Sequence, residues 1–257
     1  MQVTVMNKKI NYEAIGEGKP VVVLHGWLTN LDTMRMLSDI LSMDHKVYLI
    51  DVIGFGKSDS LDKPFNSDDY GNFLKELIDT LKIENPILIG HSHGGRMIIN
   101  AVGRKLVNAK KIILIDSAGM KVRHGIKYYY KVLTYKMGKA ILNIMPQTKY
   151  IKDTKEELMT SRASDDYRAS TPVLRKTMSN ILKESQAENA KKITCPTLLF
   201  WGDKDTATPM YQAKTLNKLI KDSKLEVIEG GDHYSYLKDP RKTREIILDF
   251  LSEEGDK

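Results

Sequence analysis

Five short apolar runs, separated by stretches of helical periodicity, restrict this chain more than any other feature. They are Pro20-Val21-Val22-Val23-Leu24-His25, Val47–Ile50, Ile87–Ile89, Ile112–Ile115 and Thr197–Trp201. None alternates apolar with polar residues, so each reads as a strand covered on both faces, the situation of a parallel strand between helix layers. Amphipathic patterns lie at about 31–42, 67–82, 95–106, 210–220 and 240–252, with a further strand at Leu225–Ile228. Such alternation predicts a mostly parallel sheet with helices on both faces. Val3–Val5 and Ile10–Tyr12 flank Asn7-Lys8-Lys9 as a hairpin and add antiparallel edge strands, for an eight-stranded sheet in all.

One interval departs from the alternation. From Ala118 to Lys192 there is helical and loop character but no strand. Ile126, Tyr130, Leu133, Met137, Ala140 and Ile144 recur at helical spacing, with Lys127, Lys131 and Lys139 on the opposite side. The interval reads as a helical lid inserted between two core strands. The expected organisation is therefore core 1–117, lid 118–192 and core 193–257.

The formal charge of +7 is local. Lys121, Arg123, Lys127, Lys131, Lys136, Lys139, Lys149 and Lys152 occur in one stretch with no acid among them. A solvated basic face explains this better than nucleic-acid binding; contact with a membrane surface is the secondary reading. Cys195 is the only cysteine, which excludes an intrachain disulfide. The N-terminus lacks the layout of a signal peptide, and no apolar run approaches membrane-spanning length, so a soluble cytoplasmic protein is expected. No metal or cofactor site is expected.

Gly90-His91-Ser92-His93-Gly94 follows the strand at Ile87–Ile89 and opens a helix. A hydroxyl at so sharp a strand-to-helix turn, with small residues two before and two after it, is presented above the sheet edge beside a helix N-terminus, where developing negative charge is favoured. A serine needs a base. Of the six histidines, His233 in Glu229-Gly230-Gly231-Asp232-His233 follows a late strand and opens at the same sheet edge. His91 and His93 adjoin Ser92, but their side chains are expected to diverge from it. The orienting carboxylate is left open by position: Asp203, Asp205 and Asp116 all follow strands. For the oxyanion, the N–H of His93 is one donor, and the N–H of Trp27, beyond His25-Gly26, is the second candidate.

Taken together these motifs resemble the α/β-hydrolase family, in its capped single-domain subgroup with a serine nucleophile. His25-Gly26 is similar to the oxyanion stretch, Asp51-Val52-Ile53-Gly54-Phe55-Gly56-Lys57-Ser58-Asp59 to the D-x-x-G-x-G-x-S-D loop, and Gly90 to Gly95 to the nucleophile elbow. Trp201-Gly202-Asp203-Lys204-Asp205 resembles W-G-x-x-D, where the second acid belongs to the triad, so the resemblance selects Asp205. Asp232-His233 with Pro240 resembles the G-H ending, although Asp232 replaces the usual Gly. His93 replaces a more usual Met, Leu, Phe or Gln, and its side chain is a candidate to face the pocket.

The resemblance implies the α/β-hydrolase fold, the triad Ser92, Asp205 and His233, and a substrate region including His25, Gly26, Tyr130, Leu133 and Met137. Serine at the nucleophile position disfavours dehalogenases and epoxide hydrolases, which use Asp. The expected activity is cleavage of a small carboxylic ester through an acyl-enzyme. A carbon–carbon hydrolase, thioesterase or lactonase is the alternative, although the Gly-Pro-Gly of many ring-cleavage-product hydrolases is lacking after His25. A non-catalytic small-molecule receptor is more remote. Arg96 is expected to anchor a helix rather than a substrate. Gly56-Lys57-Ser58 imitates the end of a phosphate-binding loop, but Asp51 stands where that motif needs Gly and no helix is expected directly after it.

Overall fold

The computed structural model describes residues 1–121, 148 and 170–253. In chain order the elements are β1 (Gln2–Val5), β2 (Lys8–Ile15), β3 (Lys19–Leu24), a 3-10 turn at Leu31–Met34, α1 (Arg35–Leu41), β4 (His45–Ile50), α2 (Ser67–Thr80), β5 (Ile87–His91), α3 (His93–Gly103) and β6 (Lys111–Ile115). There follow α4 (Pro172–Ile181), α5 (Ala187–Ala190), β7 (Thr197–Gly202), α6 (Met210–Leu219), β8 (Ser223–Ile228), α7 (Ser235–Lys238) and α8 (Pro240–Ser252).

The sheet has eight strands in the order β1-β2-β4-β3-β5-β6-β7-β8. Pairing is antiparallel for β1 with β2 and for β2 with β4, and parallel from β4 through β8. This is the α/β-hydrolase fold. The apolar runs behave as their composition demands: every residue of β5, β6 and β7 is buried. Lys111 sits at the start of β6 with no salt bridge to a carboxylate side chain among the described residues. Its ammonium instead donates to the carbonyls of Phe250, Leu251 and Glu253 at 2.7, 3.2 and 2.5 Å, closing the C-terminus of α8.

The hairpin turn lies one residue earlier than the sequence suggests. Met6 and Asn7 take φ of 52° and 58°, the mirror-type two-residue turn whose twist matches the strands, and Lys8 and Lys9 enter the ladder opposite Val5 and Thr4. Helix α2 starts with a reciprocal Asn66–Asp69 capping box, and α8 with Asp239 capping ahead of Pro240.

After β3 the chain adds β4 on one side and then β5 on the other. Such a reversal opens a crevice beyond the carboxyl ends of the strands, which is where α/β sheets bind ligands. Leu24 is paired with Gly90, so the loops after β3 and β5 emerge side by side.

The chain divides into two compact units, Met1–Lys121 with Lys176–Lys257, and Val122–Arg175. The lid was expected over 118–192. Residues 176–192 group with the sheet in the first unit, and a Cβ on Gly103 of α3 would stand 2.3 Å from the Asn189 carbonyl oxygen, so α5 is packed backbone to backbone on α3. Ile126 through Ile144, with Tyr130, Leu133 and Met137, lie outside the described residues. No helix among the described residues is long and apolar enough to cross a membrane.

Candidate active site

β5 ends at His91 and α3 begins at His93, so Ser92 alone makes the turn, with φ 50° and ψ −109°. A non-glycine residue there is strained by about 1–3 kcal/mol. The strain is held by the Ser92 N–H donating to the Ile115 carbonyl at 3.0 Å, and by the Ser92 carbonyl accepting from the N–H groups of Arg96 and Ala118 at 3.2 and 3.0 Å. The flanking glycines are required by close approach: a Cβ on Gly90 would lie 2.5 Å from the Gly95 nitrogen, and one on Gly94 2.4 Å from the Leu24 oxygen.

His233, in the loop after β8, brings Nε2 to 3.0 Å from Ser92 Oγ. Its Nδ1 is 2.9 Å from Oδ2 of Asp205, in the loop after β7. Asp205 Oδ1 accepts from the N–H groups of Ala207 and Thr208 at 2.7 and 2.9 Å, and the Thr208 hydroxyl lies 2.5 Å from Oδ2. Burial pushes the Asp205 pKa up, but the hydrogen bonds from His233 and Thr208 outweigh it, so the carboxyl titrates below its ordinary range. For His233, burial disfavours the charged ring; the Asp205 hydrogen bond and the charges of Asp205, Asp116 and Asp232 prevail, and its pKa is raised.

The two other candidate carboxylates have different tasks. Asp203 Oδ1 accepts from the Gly230 N–H at 2.6 Å and ties the β7 loop to the His233 loop. Asp116 is fully buried; Oδ1 accepts from the Gly202 N–H at 2.9 Å, and Oδ2 from the Ser235 N–H and hydroxyl at 3.0 and 2.6 Å. Burial first, and the nearby Asp205 charge last, push its pKa up to about 6. Thr208 and Ser235 carry no motif and escaped the sequence reading.

The remaining histidines are interior. His25 was expected to line the substrate. Its Nδ1 is 2.7 Å from the Gly26 carbonyl and its Nε2 accepts from the Val52 N–H at 3.0 Å, so the ring is a buried strut between two loops. The His93 side chain is 3% exposed. It is buried among Trp27, Tyr70 and Phe55, at ring-centroid distances of 5.2, 4.5 and 6.4 Å, and burial lowers its pKa to about 3. Neither the Trp27 nor the His93 N–H is hydrogen-bonded to a described residue. His91 diverges from Ser92 as expected, and its Nε2 reaches the His233 carbonyl at 2.7 Å. Arg96 is buried with Nη1 at 3.4 Å from both Ser67 Oγ and the Glu184 carbonyl, a helix anchor.

Asp51 accepts from the Leu31 and Lys57 N–H groups and from Asn11 Nδ2, each at 2.8 Å, and Gly56 folds back over this carboxylate. The next helix begins only at Ser67, so the loop lacks the helix a phosphate cradle requires. Among the described residues no three His, Cys, Asp or Glu side chains are grouped to hold a metal.

A doubly covered, mostly parallel sheet with a strained serine between its fifth strand and the next helix defines the α/β-hydrolase class. The chain belongs to the alpha/beta hydrolase fold family, whose profile matches residues 19–240. It is 26% identical over 257 residues to the AB hydrolase superfamily protein YisY of Bacillus subtilis strain 168, covering 93% of each chain. It is also 26% identical to the 2-hydroxy-6-oxo-6-(2'-aminophenyl)hexa-2,4-dienoic acid hydrolase of Metapseudomonas resinovorans, covering 95% of this chain and 88% of that one. The crystal structure of a bromoperoxidase from Bacillus anthracis superposes with a TM-score of 0.77 at 22% identity, covering 98% of this chain and 100% of that one.

Proposed function

We propose that this hydrolase cleaves a small carboxylic ester through an acyl-enzyme, with Ser92 as nucleophile, His233 as base and Asp205 as its orienting acid. The observation that carries the reading is the unbroken line from Ser92 Oγ to His233 Nε2, at 3.0 Å, and from His233 Nδ1 to Asp205 Oδ2, at 2.9 Å. Along it, His233 takes the Ser92 proton as Oγ attacks the acyl carbon. Asp205 keeps the proton on Nδ1 and stabilises the imidazolium that forms. The N–H groups of Trp27 and His93 receive the oxyanion, assisted by the N-terminus of α3. The imidazolium protonates the departing alkoxide. Water, deprotonated by His233, then releases the acid and restores Ser92.

The same groups serve a carbon–carbon substrate, and the Metapseudomonas relative, named for its action on a dienoic acid, favours this as the second reading. A panel of short aryl esters, thioesters, lactones and a vinylogous diketone acid separates the two, with Ser92→Ala as the blank. The first reading expects ester turnover abolished in that variant and covalent labelling of Ser92 by a fluorophosphonate. Folded wild-type protein that neither turns over an ester nor takes the label would refute it.

A further inference from the structure

We propose that His91 is a positioning residue whose imidazole bridges the loop carrying Gly26 and the loop carrying His233, and so holds His233 in reach of both Ser92 and Asp205. This rests on the serine-hydrolase reading above.

His91 Nε2 stands 2.7 Å from the His233 main-chain oxygen. A carbonyl only accepts, so Nε2 carries the proton and Nδ1 is the bare nitrogen. That Nδ1 is buried without a hydrogen-bond partner. It lies against Gly26, where a Cβ would come within 2.9 Å of Nδ1 and 3.2 Å of Cε1. On its other sides the ring meets His233, Tyr234 and Tyr236, at centroid distances of 4.9, 5.0 and 5.6 Å. The side chain is 1% exposed. It is a wedge between two loops, with one polar bond, and that bond is to the residue that must move a proton.

The position of this bond matters. The His233 loop is tied before that residue by the Gly230 N–H on Asp203, and after it by Ser235 on Asp116. Gly231 adds a further tie before His233, its carbonyl accepting from the Lys204 N–H at 2.9 Å. At His233 itself the peptide is fixed from below by His91. A base that must meet donor and acceptor at once tolerates little displacement; a 1 Å error in such a geometry costs up to roughly 10²-fold in rate. Burial, and then the neighbouring His233, lower the His91 pKa to about 3, so the donor stays neutral through the range in which His233 titrates.

Three variants test this on a short aryl ester. His91→Leu keeps the bulk and removes the donor. His91→Asn places its amide one bond short. His91→Gln places an amide nitrogen at the bond count of Nε2. We expect kcat to fall roughly ten-fold in the Leu and Asn variants with KM little changed, and to be largely recovered in the Gln variant. The acid limb of the rate profile should also move down in His91→Leu, because a displaced His233 loses part of its contact with Asp205. The other groups facing His233 (Asp116, Asp232, Thr208, Tyr234 and Ser92) are unchanged in these variants. Wild-type kcat in a folded Leu variant, or a Gln variant no better than Leu, overturns the proposal.

Nitrogen-15 spectra of the wild-type protein need no variant. His91 should remain neutral and protonated at Nε2 down to about pH 5; an Nδ1-protonated ring, or one titrating as an ordinary histidine, overturns it equally. If no ester is turned over and Ser92 takes no label, the serine-hydrolase reading fails instead, and the spectra still decide whether His91 holds His233.

Discussion

The turn at Ser92 and the loop at His233 meet at 3.0 Å, yet they are held in opposite ways. The turn is fixed by its main chain: a strand, a helix, three glycines packed against backbone or a short side chain, and main-chain bonds to Ile115 and Ala118. The loop is fixed by groups remote in sequence: Asp116 and His91 lie more than a hundred residues away, and Asp203 lies 27 away. One half of the candidate site is held by main-chain geometry and bonds, the other by bonds to side chains. The first should break through steric substitution and the second through loss of single polar atoms.

The largest expected effect treats both halves alike, because the chemistry needs both. Ser92→Ala and Asp205→Asn should each lower kcat on an ester substrate by roughly 10³–10⁴-fold or more while thermal unfolding stays near wild type. A second effect separates the halves. Gly94→Ala should destabilise the fold by about 1–3 kcal/mol in urea titration, since the added methyl has only the β3 backbone to displace. A wild-type midpoint would mean the elbow is less tightly packed than its contacts indicate. Smaller again, Ser235→Ala removes one of two bonds to Asp116 and should cost about 1 kcal/mol, with a modest fall in kcat.

The smallest effect is electrostatic. The proposed mechanism requires neutral His233, so kcat/KM should rise with pH through a midpoint above the ordinary histidine value of 6.5. Asp232→Asn keeps the acceptor for the Tyr234 N–H but removes a charge that favours the imidazolium. The midpoint should therefore fall, and by less in high salt, since Asp232 is exposed. An upward or absent shift at low salt would show that the Asp232 charge does not reach the ring.

The same contrast explains what the sequence makes legible. The parallel sheet and the elbow are readable because their determinants are contiguous: Ile87 to Arg96 contains a strand, a turn and a helix start. Position alone could not choose among Asp203, Asp205 and Asp116, because all three follow strands at one edge. The choice depends on how the turn after Gly202 directs each carboxylate. The surroundings of the His93 ring are not legible because Trp27, Phe55 and Tyr70, which pack around it, come from three other segments. The bond from His91 to His233 spans 142 residues and leaves no local trace.

The two ends of the Val122–Arg175 unit are joined to a scaffold that is already clamped. On the incoming side the Gly119 carbonyl accepts from the Gln186 N–H at 2.8 Å; on the return, Thr177 Oγ1 accepts from the Phe65 N–H at 3.0 Å. Splicing a foreign segment between these two fastenings would add little closure entropy, since each doubling of its length costs only about 0.6 kcal/mol. The Val122–Arg175 unit can thus be exchanged as a cassette while the hydroxyl, the ring and the carboxylate keep their spacing.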